Sequence, residues 1–220
     1  MCGRYANALT TSLMQDIFQT QPRAPDWLPS WNVAPGQPAP VIWADSKSGR
    51  RYLDLMLWGL VPHWAKNMER RPINARAETV ATNGMFWAAF RARRCLLPAT
   101  AYYEWQRIKG HKQPYAFARQ DRQPLALAGI WENWEHEGDV LHSFAIVTTQ
   151  AKGDIATIHD RMPVCIEADK WEDWLTAPRD VAANFLHAPR QEVLEFWPVS
   201  ARVNTPQSNG EDLLERIGLS

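Results

Sequence analysis

The amino-acid sequence predicts an α+β fold in which a mixed, barrel-like β-sheet is flanked by helices. Segments rich in β-branched and aromatic residues, which favour strands, outnumber segments with helical periodicity. The two kinds of segment do not alternate regularly, which argues against a doubly wound parallel sheet. No repeat, linker or shift in composition marks a boundary, so one domain is expected over residues 1–220.

The first predicted element is a short helix capped by Thr10 or Thr11, because Leu13, Met14, Ile17 and Phe18 then share one face. A proline-rich, extended passage follows over residues 22–40. Strands are predicted over residues 41–44, 52–58, 94–97, 102–106, 115–119, 125–131, 143–149 and 164–166. Helices are predicted at about 76–90, 168–175 and 179–187.

Composition places the chain among ordinary globular proteins. Hydrophobic residues make up 45% and charged residues 22%, which excludes an intrinsically disordered chain. The 24 basic residues balance the 24 acidic ones, so a nucleic-acid partner would be held by a local basic stripe and not by a general positive field. The 12 tryptophans either fill a core between irregular elements or line a groove on which flat bases stack.

The three cysteines are Cys2, Cys95 and Cys165. None forms a C-x-x-C pair and their number is odd, which argues against a zinc site and against a disulfide framework. The sequence has no basic segment followed by an apolar run at its start and no apolar stretch long enough to span a bilayer. We therefore expect a cytoplasmic protein with reduced thiols, without a metal, a cofactor or a membrane anchor.

The sequence starts with Met1-Cys2-Gly3-Arg4. Removal of Met1 would leave one residue with both a free amine and a thiol, whose reference pKa values of about 7.7–8.0 and 8.5 make both partly nucleophilic at neutral pH. Such an aminothiol condenses with aldehydes to a five-membered thiazolidine, and it also suits an N-terminal-nucleophile hydrolase. The alternative is an incidental small residue at a frayed terminus.

Three other segments carry polar side chains suited to chemistry. Asn74 is either the cap of the helix predicted at 76–90 or part of a polar clamp on a phosphate and on the N-terminal amine. Glu104, among Tyr102, Tyr103 and Trp105, lies either on a solvated strand face or in an apolar cleft that would make it a general acid or base. His159 is either a surface residue of a turn or a proton shuttle.

Taken together, these segments resemble the SOS-response-associated peptidase (SRAP) family, whose members sense abasic sites in DNA. The resemblance spans nearly the whole chain, and the matching stretches occur in the family's order. They are Met1-Cys2-Gly3-Arg4-Tyr5, Asn32-Val33-Ala34-Pro35, Trp58-Gly59-Leu60-Val61-Pro62, Ile73-Asn74-Ala75-Arg76-Ala77-Glu78-Thr79, Arg94-Cys95-Leu96-Leu97-Pro98, Tyr103-Glu104-Trp105, His159-Asp160-Arg161-Met162-Pro163 and Trp197-Pro198-Val199-Ser200.

The resemblance implies that Cys2, after removal of Met1, forms a protective thiazolidine crosslink with the ring-opened sugar of an abasic site, by lyase-like imine chemistry. The partner implied is single-stranded DNA that contains abasic sites, bound by a monomer that is nucleoid-associated when on DNA. The family's active-site positions fall on Cys2, Asn74, Glu104 and His159. Positions that line its DNA groove fall on Arg4, Arg76 and Trp105, and the run Arg91, Arg93 and Arg94 is a further candidate for phosphate contacts.

Two stretches depart from the family pattern. Thr100-Ala101 stands where a small residue and a glycine usually precede the aromatic-Glu-Trp run, which puts the backbone leading to Glu104 in question. Asn83-Gly84 stands where a serine and a basic residue are frequent, which removes one expected phosphate contact.

Two rival functions stay open at the level of sequence. One is a thiol peptidase that uses Cys2 as an N-terminal nucleophile. The other is a non-catalytic reader with a tryptophan-lined pocket for a modified base, in which Cys2 would be dispensable.

Overall fold

The computed structural model describes residues 2–21 and 26–218. Within them, twelve strands form two sheets and are accompanied by four short α-helices and several 3-10 turns. The strands are β1 Tyr5–Asn7, β2 Ser30–Val33, β3 Pro38–Ala44, β4 Arg51–Trp58, β5 Asn74–Arg76, β6 Arg94–Ala99, β7 Ala101–Ile108, β8 His111–Arg119, β9 Leu125–His136, β10 Asp139–Gln150, β11 Arg161–Pro163 and β12 Leu194–Pro198. The helices are α1 Thr11–Phe18, α2 Trp87–Ala92, α3 Trp171–Thr176 and α4 Arg179–Ala182.

The larger sheet has seven strands, and its pairings close into a ring. Its order is β11-β10-β4-β3-β6-β9, β9 pairs back onto β10, and the short β5 also pairs with β10. β10 runs parallel to β4 and β5, whereas the other pairings are antiparallel. A mixed, ring-like sheet in an α+β protein is the fold class that the sequence predicts, and this prediction is confirmed.

The smaller sheet has the order β12-β8-β7-β1-β2, all antiparallel. Side chains alternate along a strand, so neighbouring residues of the larger sheet face opposite sides. Ile42 and Leu96 pack on the side that carries Phe18, Phe90 and Trp174 of the helices. The opposite side packs against residues of the smaller sheet, in a cluster that contains Val41, Leu97, Cys2, Tyr5, Tyr102 and Phe117. The N-terminal cysteine is thus held between the two sheets.

The long strands and the first helix are where the sequence predicts them. Thr10 caps α1 by accepting the backbone N–H of Leu13 at 3.3 Å. The predicted segments at 168–175 and 179–187 form 3-10 turns and the short helices α3 and α4. Each of the seven predicted strands between residues 41 and 149 lies within an observed strand.

The helix predicted at about 76–90 is wrong over most of its length. Residues 74–76 form β5, so their backbone groups bond to β10 and not to a helix. Residues 77–86 form turns, in which the Asn83 side chain accepts the N–H of Met85 at 2.9 Å and competes with helical bonding. Only Trp87–Ala92 is helical.

The strand predicted at 164–166 is also displaced. The observed strand β11 ends at Pro163, and Cys165 forms only an isolated bridge to Leu127. The extended passage contains β2, while its residues 22–25 lie outside the described part of the chain. Of the tryptophans, Trp58 and Trp174 are core residues, whereas Trp64 and Trp87 are exposed.

Candidate active site

Cys2 lies three residues before the first residue of β1, Tyr5, and is fully buried. Its sulfur is 4.0 Å from the carbonyl oxygen of Arg4, a weak thiol hydrogen bond. Burial, together with the nearby charge of Glu104, raises the pKa of the Cys2 thiol well above its ordinary value. The sequence suggests a partly ionised thiol at neutral pH, but the structure holds it as the neutral thiol. Its reaction therefore requires that a neighbouring group take the proton.

Asn74 begins β5, and the parallel pairing of β5 with Ile146 of β10 brings it to the N-terminal segment. Its side-chain nitrogen donates to the carbonyl oxygen of Cys2 at 2.9 Å. Its side-chain oxygen is buried and makes no hydrogen bond within residues 2–21 and 26–218. Asn74 is therefore not a helix cap. It fixes the backbone of Cys2 and presents an acceptor that an amine can use.

Glu104 lies in the middle of β7 and is 2% exposed. Alternation places Glu104 on the face shared with Tyr102, the face that packs around Cys2, and Tyr103 and Trp105 lie on the other face. Burial raises the pKa of Glu104 to about 7. At neutral pH, this carboxyl can both give and take a proton, as a general acid or base requires.

His159 lies in the turn before β11, and its Nε2 is 3.7 Å from Oε2 of Glu104. The backbone N–H of Arg161 lies 3.0 Å from Nδ1 and its carbonyl oxygen lies 3.3 Å from the same nitrogen, so Arg161 holds the ring with Nε2 toward Glu104. Burial lowers the pKa of His159. The carboxylate of Asp160, 3.0 Å from Nδ1, acts in the opposite direction, but it is exposed and its charge is screened by water. Glu104 and His159 thus form a pair that can exchange a proton.

This pair opens into a cavity of about 460 Å³. The carboxyl and the imidazole lie among basic and aromatic side chains, and the cavity is lined by Gly3, Arg4, Glu104, Trp105, Arg107, Lys112, His159 and Asn204. Trp105 is held in place by its ring N–H, which donates to the Asn204 side chain at 2.7 Å. Cys2 and Asn74 are not among the residues that line this cavity. Sequence patterns did not indicate Arg107, Lys112 or Asn204, although the first two flank the turn signal Lys109-Gly110.

Arg4 lines the cavity, but its guanidinium is also a structural group. Its Nη1 donates to the Asn32 side chain at 2.8 Å and to the carbonyl oxygen of Val203 at 2.7 Å. The side chain therefore ties the N-terminal segment to β2 and to the C-terminal part of the chain. Arg76, unlike Arg4, does not line the cavity, and its side chain is exposed.

Most of the predicted arginine run is not available to phosphates, and this corrects the sequence-based expectation. Arg94 is buried and donates to the backbone carbonyls of Phe90, Arg91, Trp174 and Ala177. Arg93 pairs with the buried carboxylate of Glu132 at 2.8 Å. Arg91 is exposed and lies 6.0 Å from the ring of Trp87.

The departure at Thr100-Ala101 leaves the strand that carries Glu104 regular. Thr100 accepts the N–H of Ala8 at 2.9 Å through its hydroxyl, and Ala101 pairs with Ala6 of β1. Within residues 2–21 and 26–218, no group of three or more His, Cys, Asp or Glu side chains is placed to hold a metal ion. In the same part of the chain, no helix has the length and apolar character needed to cross a membrane.

Comparison with known proteins identifies the family to which the chain belongs. Residues 1–206 match the family model described as SOS response associated peptidase (SRAP). The abasic site processing protein YoaM of Bacillus subtilis is 35% identical over 226 residues, which cover 98% of each chain. The abasic site processing protein YedK of Escherichia coli is 30% identical, covering 99% of this chain and 100% of the relative. A solved structure from Bacteroides thetaiotaomicron shares the fold, with a TM-score of 0.87 at 21% identity over 98% of this chain and 100% of the other. The chain belongs to the SOS response associated peptidase family.

Proposed function

We propose that this protein recognises abasic sites in single-stranded DNA and captures them covalently through Cys2, as part of a DNA damage response. The relatives named as abasic site processing proteins support the substrate. The observation that carries the proposal is the convergence of four side chains from separate parts of the sequence. Asn74 bonds to Cys2, Glu104 acts on the Cys2 thiol through its charge, and His159 faces Glu104.

The reaction starts with the sugar, because an abasic deoxyribose is mostly a closed hemiacetal. Glu104, with its pKa of about 7, takes the hemiacetal hydroxyl proton, and a proton returned to the ring oxygen completes the opening to the aldehyde. His159 faces Glu104 through Nε2 and is the group we assign to supply that second proton. No atom is lost in this step, and the product is an open-chain aldehyde with a free hydroxyl.

The capture step uses both nucleophiles of a Cys2 that has lost Met1. The amine adds to the aldehyde carbon, and the resulting carbinol loses one water to give an imine. The thiol then adds to the imine carbon, its proton moves to the nitrogen, and a thiazolidine ring closes. Since the thiol is neutral, it needs a proton acceptor, and we assign that role to Glu104, whose charge acts on the thiol. Asn74 fixes the Cys2 backbone and offers its free oxygen to the amine, which limits the loss of orientation.

The experiment mixes purified protein with a single-stranded oligonucleotide that carries one abasic site and measures the intact mass of the product. The expected adduct is the chain without Met1 plus the oligonucleotide minus one water, and it forms without borohydride. Cys2→Ala keeps the amine but lacks the thiol, so we expect an imine that survives denaturation only after borohydride reduction. Cys2→Ser is the matched control of size and behaves in the same way, because a hydroxyl is a far poorer nucleophile.

A variant that retains a residue before Cys2 tests the aminothiol directly, because the thiol is present and its own amine is blocked. We expect no stable adduct from this variant, and a stable one would refute the mechanism. Consumption of added peptides in a Cys2-dependent manner without any DNA adduct would instead assign a peptidase. If wild type and Cys2→Ala bound the abasic oligonucleotide with equal affinity and neither formed a covalent adduct, the protein would be a reader of damaged DNA.

A further inference from the structure

The hairpin formed by β7 and β8 extends beyond the cavity, and its end is basic. We call residues 107–112 the basic hairpin tip. Arg107, Lys109, His111 and Lys112 are all exposed there, around a turn in which Lys109 and Gly110 have positive φ values of 42° and 88°. With a rise of about 3.3 Å per residue, the tip lies about 15 Å from Glu104 along the strand.

The charges at the tip are not compensated within the part of the chain that the structure describes. Arg107 and Lys112 are direct cross-strand partners, a placement in which like charges destabilise a sheet. Neither of them, nor Lys109, forms an ion pair with a carboxylate of residues 2–21 and 26–218. A polyanion that binds at the tip would remove this repulsion.

The tip is continuous with the candidate active site. Arg107 and Lys112 line the 460 Å³ cavity together with Glu104, Trp105 and His159. The same two side chains line a second cavity of about 370 Å³ that contains Lys109 and His111. A basic path thus leads from the proton-exchanging pair to the end of the hairpin, on a protein whose net charge is zero.

We propose that the basic hairpin tip binds backbone phosphates of single-stranded DNA beside the nucleotide that occupies the cavity. This inference rests on the proposed function for its substrate class. A strand that places one sugar at Glu104 and one base on Trp105 carries its next phosphates along the hairpin. Point charges on flexible lysine stems suit this contact because they neutralise phosphates without reading bases.

The experiment measures binding of fluorescently labelled oligothymidylate without an abasic site, by anisotropy, between 0.05 and 0.2 M salt. The test variant is K109Q/K112Q. The matched control is K47Q/R50Q, which removes the same charge from exposed residues at the turn between β3 and β4. Loss of two phosphate contacts should reduce the slope of log Kd against log salt by about 1.4 and weaken binding about 20-fold at 0.1 M salt. The control should match wild type.

Equal affinities and slopes for K109Q/K112Q and the control would overturn the inference and leave an acidic protein surface as the partner. Absence of wild-type binding to the oligothymidylate would overturn it as well. Failure of the proposed covalent capture is a separate result, because this measurement uses DNA that cannot react. A K109Q/K112Q defect without any covalent adduct would support the hairpin and refute only the crosslink. A normal yield of covalent adduct together with unchanged DNA binding by K109Q/K112Q would support the crosslink and refute the hairpin contact.

Discussion

The Glu104 carboxyl lies in the middle of β7 and has little access to water. Burial is the main cause of its raised pKa, and His159, held near it by the turn before β11, has its own pKa lowered by burial. The raised pKa of Glu104 and the lowered pKa of His159 both favour a proton on the carboxyl and a neutral imidazole beside it.

The raised pKa of Glu104 predicts a specific dependence of stability on pH. The folded protein binds a proton at Glu104 between the ordinary value of 4.5 and about 7, whereas the unfolded chain releases it. The stabilising contribution is therefore present below pH 4.5 and is lost as the pH rises through 7, by about 3 kcal/mol. Glu104→Gln does not ionise, so its stability relative to wild type should rise by about this amount between pH 4 and pH 8.5, measured by urea unfolding.

The control for this experiment is Glu78→Gln. Glu78 is a carboxylate whose pKa is lowered by its paired bonds to Arg161, so its variant should lose stability relative to wild type at high pH. If the difference in the free energy of unfolding between Glu104→Gln and wild type did not change between pH 4 and pH 8.5, this would contradict a buried carboxyl with a raised pKa.

In the capture assay, Glu104→Gln should slow adduct formation by about 10²–10⁴ because the proton transfer is removed.

At this scale, the sequence identified the four active-site candidates but not their contacts. Cys2, Asn74, Glu104 and His159 are visible as residue types within short motifs. One of the two partners of Arg4, by contrast, is the carbonyl of Val203, 199 residues away, and only the folded chain brings them together. The same holds for Arg94, which has the sequence of an exposed basic run and the environment of a core residue.

At the scale of elements, the long strands follow from alternation and the short ones do not. β3, β4 and β6 to β10 have six to twelve residues, enough for a periodic pattern to appear in the sequence. β1, β5 and β11 have three residues each, and they are strands because a long neighbour supplies their hydrogen bonds. The pairing of β5 with β10 moves the start of the segment predicted as a helix at 76–90 into a sheet, and the turns that follow, with the Asn83 side-chain bond to Met85, account for the rest of that failure.

The ring of the larger sheet predicts a sensitive position at Gly129 of β9. It lies opposite Cys95 of β6 and Ile146 of β10, and an added Cβ would lie 2.4 Å from Leu97 and 2.8 Å from the Cys95 sulfur. Gly129→Ala should therefore lower the free energy of unfolding by about 1–3 kcal/mol, measured by urea denaturation. Gly84→Ala, where nothing lies within 4 Å, is the control and should stay within about 0.5 kcal/mol. Equal stability of the two variants would mean that the ring accommodates the methyl group.

On the scale of the whole molecule, charge is distributed locally and not as a net excess. The 24 basic and 24 acidic residues cancel, and several arginines are engaged by the protein itself, such as Arg4, Arg94 and Arg161. The basic side chains that could contact the phosphates of DNA are therefore the exposed ones that no other group of the protein engages. Arg76 is one of them, because it is exposed and its side chain makes no hydrogen bond or ion pair within residues 2–21 and 26–218.

Arg76 lies at the end of β5, two residues beyond Asn74, which bonds to Cys2. In the proposed complex, a strand whose sugar reaches Cys2 would run past β5 and this guanidinium, and an Arg–phosphate contact carries no base information. Arg76→Gln should weaken binding to single strands of any base composition by the same factor and reduce the salt slope by about 0.7. The measurement is anisotropy with two oligonucleotides of different sequence across a salt titration, with Arg50→Gln as the exposed control. A loss confined to one base sequence, or an unchanged slope, would show that Arg76 does not act on the phosphate backbone.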